Sequence, residues 1–171
     1  MLSDFVADLQ VQHIPPSVLE RARYLILDAV GIAHASTQHD FAHRSLSALT
    51  ELSAGAGDTP AIGLAATLSL RDSMLMNGIL VHGLDYDDTH DLAVLHPGVA
   101  VIPAALATAE SLGASGRALL DAIVVGYDVQ VRVALAATRA PGRTGWHYTS
   151  ACGIFGAAAA AGRLMGLNPG A

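Results

Sequence analysis

The chain has 171 residues, a net charge of −6, 52% hydrophobic residues and 14% charged ones, a balance that excludes a disordered tail and leaves enough chain for one domain with a sizeable core. All nine cations are arginine. The absence of lysine excludes lysine Schiff-base chemistry and a P-loop within these residues, and the acidic balance without a basic stripe makes nucleic acid an unexpected partner. The single Cys152 fits a reducing compartment, and the start Met1-Leu2-Ser3-Asp4 lacks the basic flank and apolar run of a signal peptide, so a cytoplasmic location is expected. The stretches free of acids and arginine, 92–109 and 144–162, are broken by His96, Pro97 and Pro103 or built of small residues, and neither is expected to span a membrane. Only 5% of residues are aromatic, so the core is expected to be built by close packing of small side chains.

Helical periodicity begins after Pro15-Pro16, with Val18, Ala22, Leu25, Ala29 and Ile32 spaced alternately by four and three. The Gly-rich connection 54–63 holds the one short strand candidate, Thr59 to Leu64. Ser69-Leu70-Arg71-Asp72 reads as a capping box opening a helix through Met74, Asn77, Ile79, Leu80 and Leu84, running toward residue 85. Pro97 suits a first helical position, and Val101, Ala104, Ala105 and Ala109 carry that helix to a stop near Gly113. Ser115 caps the next helix, whose stripe runs from Leu120 to Thr138 before the turn dipeptide Pro141-Gly142. A last helix is expected over about 149–166, and the fold class is all-α.

The densest polar segment is His82-Gly-Leu-Asp85-Tyr-Asp87-Asp88-Thr89-His90-Asp91, followed by His96-Pro97-Gly98. Carboxylates this close repel one another unless hydrogen bonds, a metal or solvent relieves them, and the flanks Ile79-Leu80-Val81 and Leu92 to Leu95 pull the segment inward. Asp85-x-Asp87-x-Thr89 resembles the nucleophile motif of haloacid-dehalogenase-type phosphatases, which also need a parallel sheet and a downstream basic residue. Asp87-Asp88-x-x-Asp91 resembles the magnesium-diphosphate motif of helical prenyl synthases, but the second acidic motif is missing. A calcium loop from Asp85 fails, since His90 and His96 stand where Gly and Glu are needed. At Gly145-Trp146-His147-Tyr148-Thr149-Ser150 a histidine precedes a helix N-terminus, whose dipole favours the neutral, basic imidazole. Cys152 reads as a small buried thiol, and Gly153-x-x-Gly156 with Gly162 as close helix contacts.

Together, the His82 to His90 run, His96-Pro97-Gly98, the Gly145 to Ser150 run and Gly153 to Gly166 resemble the MmgE/PrpD family of lyases, to which 2-methylcitrate dehydratase belongs. The likeness includes Ser115-Gly116-Arg117, Gly126-Tyr127-Asp128 and Arg132, and extends from about residue 16. The resemblance implies a helical domain continued in the family by further helices and an α+β lid, a homodimer, and no obligatory metal or organic cofactor. Asp128 stands where relatives often carry Glu, and the family's later lysine- and histidine-bearing segments lie beyond these residues.

By that resemblance Asp85, Thr89, His96 and His147 line a pocket for a small di- or tricarboxylate. Eliminating water from a β-hydroxy acid needs a base, an acid and donors for the carboxylates, which assigns His147 and His96 to proton transfer, Asp85 to orienting an imidazole or, kept protonated, to donating, Thr89 to a substrate oxygen, and Arg139 and Arg143 to substrate carboxylates. Two other readings stay open: a truncated, non-catalytic helical domain or split subunit needing a partner chain, and a magnesium-dependent phosphatase or diphosphate enzyme. Apolar helix faces left uncovered by a missing half are expected to drive self-association.

Overall fold

The computed structural model describes residues 2–53, 57–138 and 145–170, so Arg139 and Arg143 lie outside the described residues. Among the described residues, seven α-helices and one two-stranded hairpin follow in chain order: α1 (Leu2–Asp8), α2 (Pro16–Ser36), α3 (Asp40–Leu52), β1 (Thr59–Pro60), β2 (Thr67–Leu68), α4 (Leu70–His82), α5 (Gly98–Ser111), α6 (Gly116–Thr138) and α7 (Tyr148–Leu164). The fold is all-α. No described helix is long and apolar enough to cross a membrane.

Helix α2 starts with Pro16 in its first turn, where a missing N–H costs nothing. Its buried face runs through Leu19, Ala22, Ala29, Ile32 and Ala33, while Val18, which opens the spaced series, is exposed. Helices α1 and α3 have no counterpart in the helices expected from periodicity. In α3 only Ala42 is fully buried, and Phe41, Leu46 and Leu49 pack beside it against the core as a half-buried apolar stripe. The strand candidate Thr59 to Leu64 contracts to Thr59–Pro60, paired antiparallel with Thr67–Leu68.

Helix α4 opens on the expected cap with one difference. The Ser69 hydroxyl accepts the Asp72 N–H at 3.2 Å and donates to Asp72 Oδ2 at 2.8 Å, so the carboxylate receives the serine hydroxyl rather than reaching back to a backbone N–H. That hydroxyl, followed by the neighbouring Arg71 guanidinium, holds the Asp72 carboxyl below its ordinary 3.8. A depressed carboxyl stabilises the fold above its unfolded value, and the contribution fades as pH falls through the depressed one. Ser69→Ala is therefore expected to lower stability at neutral pH, through both the lost cap and the lost carboxylate contact. In melting curves at pH 7 and below pH 3 the gap between parent and variant narrows at the acid end.

Helix α5 is the central helix, packed against α2, α4, α6 and α7. It opens after Pro97 and buries Val101, Ile102, Ala104, Ala105, Ala107 and Ala109, which matches the series read from the sequence. The core is fine-grained as composition predicts. Met76, Leu80, Val101, Ile102 and Ile123 sit among Ala29, Ala33, Ala105, Ala122 and Ala160. Helices α6 and α7 meet through glycine: a Cβ on Gly126 would come within 2.8 Å of the Gly156 carbonyl, and one on Gly156 within 2.9 Å of the Gly126 carbonyl. Backbone on both sides leaves no room to give, so this contact sets how α7, with His147 at its start, lies against the bundle.

Candidate active site

The site forms where α4 stops. Leu80 lies in the last turn of α4, and its carbonyl accepts the Ser36 hydroxyl at 2.6 Å, fixing that end to α2. The helix ends at His82, three residues short of the expected stop, and the Gly83 that follows lies flat against Phe41 of α3. Any Cβ there would sit 2.2 Å from the Phe41 ring. Asp85 then takes a left-handed backbone with φ 51°, and turns the chain back.

Residues 90–95 form a small closed loop that returns His96 to this corner. The His90 N–H donates to the Leu95 carbonyl at 2.9 Å and the Val94 N–H to the His90 carbonyl at 2.8 Å. Ala93 and Leu95 anchor the loop by packing with Ala134 and Cys152, and burial pushes the Cys152 thiol up, as a buried structural thiol requires. His96 is tied to the head of α7, its N–H donating to Thr149 Oγ1 at 3.1 Å.

The result is two imidazoles around one buried carboxylate. Asp87 is 5% exposed, and its oxygens lie 2.9 and 3.1 Å from His82 Nδ1. His96 Nδ1 lies 3.2 Å from the Asp87 carbonyl and 3.4 Å from Asp87 Oδ1, while His96 Nε2 lies 3.6 Å from Asp85 Oδ1. The two rings meet edge to face at 5.0 Å. A carboxylate only accepts, so His82 donates to Asp87 through Nδ1. Both nitrogens of His96 face oxygen atoms, Nδ1 toward Asp87 and Nε2 toward Asp85.

The neighbouring acids point elsewhere. Asp88 Oδ1 accepts the Gly98 N–H at 3.0 Å at the start of α5, and burial pushes its carboxyl up against the opposing pull of Tyr127 and Gly98. Asp91 is exposed. The diphosphate motif therefore does not converge on one ion, and the phosphatase motif sits after a helix, with no parallel sheet among the described residues.

A groove of about 470 Å³ runs from His82 between α4, α5 and α7, with His147 and Ser150 on its far wall and Gly78, Ile79 and Ile154 along it. His147 is exposed, its Nδ1 2.8 Å from Ser150 Oγ in the first turn of α7. Of the residues singled out by sequence, Asp85 and His96 come together, and His147 lines the same groove as His82. Thr89 is exposed in the loop and outside the His-Asp cluster. The sequence reading missed His82 and Asp87 as a pair. Their spacing of five, with a helix stop between them, was the available signal.

Comparison with known proteins places the chain in a family. The family model for the MmgE/PrpD N-terminal domain matches residues 1–171, and the chain belongs to that family. It is 31% identical to a cis-aconitate decarboxylase-like protein, oryM, of Aspergillus oryzae, over 98% of this chain and 36% of that protein. It is 34% identical to the cis-aconitate decarboxylase of Homo sapiens, over 94% of this chain and 34% of that enzyme. The Aspergillus terreus cis-aconitate decarboxylase is 29% identical, over 96% and 35%. The chain thus spans about a third of the length of these relatives.

Proposed function

We propose that this chain carries the proton-transfer part of a lyase site for a small di- or tricarboxylate. The observation that carries the reading is the buried Asp87 carboxylate holding His82 and His96 where the groove toward His147 begins. His96, facing oxygen through both nitrogens, is the acid, and Asp85 orients it at 3.6 Å. His147 is the base on the opposite wall, while Thr89, Arg139 and Arg143 bind substrate oxygens. Elimination of water from a β-hydroxy acid and loss of CO₂ from an unsaturated one share one demand: a proton moved at carbon next to a carboxylate. Membership of a family of dehydratases and decarboxylases supports either outcome on this site. A homodimer belongs to the same proposal, and the exposed Leu75, Trp146, Ile154 and Phe155 give it apolar surface to cover.

The test offers the intact native protein cis-aconitate and 2-methylcitrate in parallel and follows CO₂ release and water loss by NMR. One of the two is consumed stereospecifically, and His147→Ala and Asp85→Ala each lower turnover by about 10²-fold or more. A folded protein that consumes neither overturns the proposal.

A further inference from the structure

We infer that His82, Asp85, Asp87 and His96 form a binding site for a late first-row divalent cation, with Zn²⁺ the expected occupant, and that occupancy blocks proton transfer rather than supporting it. One ligand atom from each residue lies within 4.8 Å of every other. An ion about 2.0–2.1 Å from four tetrahedral N and O ligands spaces those ligands about 3.3 Å apart. The separations of 2.9 Å from His82 Nδ1 to Asp87 Oδ1 and 3.4 Å from Asp87 Oδ1 to His96 Nδ1 already bracket that spacing. The fourth ligand is the adjustable one, because the Asp85 side chain is 82% exposed and can swing inward without disturbing packing.

The donor set decides the class of ion. Two imidazoles with two carboxylates suit Zn²⁺ and its neighbours, whereas Mg²⁺ and Ca²⁺ prefer oxygen alone. The supporting structure is also built. Asp87 is fixed by burial, His96 by its backbone bond to Thr149, and His82 by the last turn of α4. An ion held here occupies the His96 nitrogen in place of the proton that the acid must give, and replaces the His82–Asp87 hydrogen bond. The inhibitory role rests on the function proposed above; the binding does not.

Two readouts separate them. Chelator-stripped intact protein is titrated with ZnCl₂ against a chromophoric chelator, and CoCl₂ is added separately to read the visible bands of a tetrahedral Co²⁺ centre. The expected result is one ion per chain, with affinity lowered about tenfold or more in Asp85→Asn and in His82→Gln, and unchanged in His43→Gln, whose imidazole lies on α3 outside the cluster. MgCl₂ gives no saturable binding. Asp85→Asn alters an exposed side chain, so weakened binding there is not a failure to fold. Absence of saturable Zn²⁺ binding, or equal binding by the parent, Asp85→Asn and His82→Gln, overturns the site. Stoichiometric binding that leaves turnover unchanged overturns the inhibitory role, and binding by a protein inactive even when stripped counts against the proposed function alone.

Discussion

Asp87→Asn is expected to lower kcat by about 10²- to 10⁴-fold, with KM changed far less, because the substitution keeps the shape of the side chain and removes its second acceptor. In the parent the carboxylate accepts from His82 Nδ1 through two oxygens at 2.9 and 3.1 Å and stands 3.4 Å from His96 Nδ1. An amide presents an NH₂ donor to one of those ring nitrogens, so one imidazole must turn or exchange its proton to the other nitrogen. Asp87 is a positioning residue, and its loss should displace the pH–rate profile as well as its height. The exposed Asp91→Asn, four positions on, serves as the control and should leave both unchanged. Parent-like kinetics in a folded Asp87→Asn protein would remove the cluster from the mechanism.

Arg163→Ala is expected to destabilise the fold by about 3 kcal/mol, the largest stability effect of any single substitution considered. The Arg163 guanidinium reaches from the last turn of α7 to Asp121 of α6 at 2.8 Å and also donates to the carbonyls of Val6, Ala7 and Leu9. Those three carbonyls include the end of α1, a helix with no fully buried residue of its own. Without the guanidinium, Asp121, 7% exposed, keeps its charge without that partner, and α1 loses the tie that seats Phe5, Val6 and Leu9 against Val125, Val129 and Ala159. Arg163→Lys should recover less than half of the loss, since an ammonium cannot fan out to four acceptors in a plane. Denaturant melts give the magnitude, and amide exchange over residues 2–9 rising first in Arg163→Ala locates it. A midpoint unchanged by Arg163→Ala would contradict this account.

What the sequence made legible follows from how strongly each element is written. Helices α2, α4, α5, α6 and α7 carry a cap or proline start and a regular apolar series, and each forms within a few residues of its expected span. Helix α3 holds the core through Phe41, Ala42, Leu46 and Leu49, but it opens after His39 with no side-chain cap and no proline, so its start is not marked in the sequence. Helix α1 was not legible either, since its anchor is an arginine 150-odd residues away. At the site, the motif located the right segment but not its working pair. His82 belongs to a helix and Asp87 to a loop, and only the left-handed turn at Asp85 brings them together. Backbone turns of that kind leave little trace in residue type when the residue is not glycine.

The most direct test of the central claim is turnover in ²H₂O by the intact protein, comparing the parent with His96→Gln and His147→Gln. Where CO₂ is lost, the account predicts one deuterium at the product carbon next to a carboxylate, delivered by the acid and lost in His96→Gln; where water is lost, it predicts exchange at that carbon in recovered substrate, made by the base and lost in His147→Gln. Decarboxylated product without deuterium, or labelling at the parent's rate by the variant lacking the acting histidine, would contradict it.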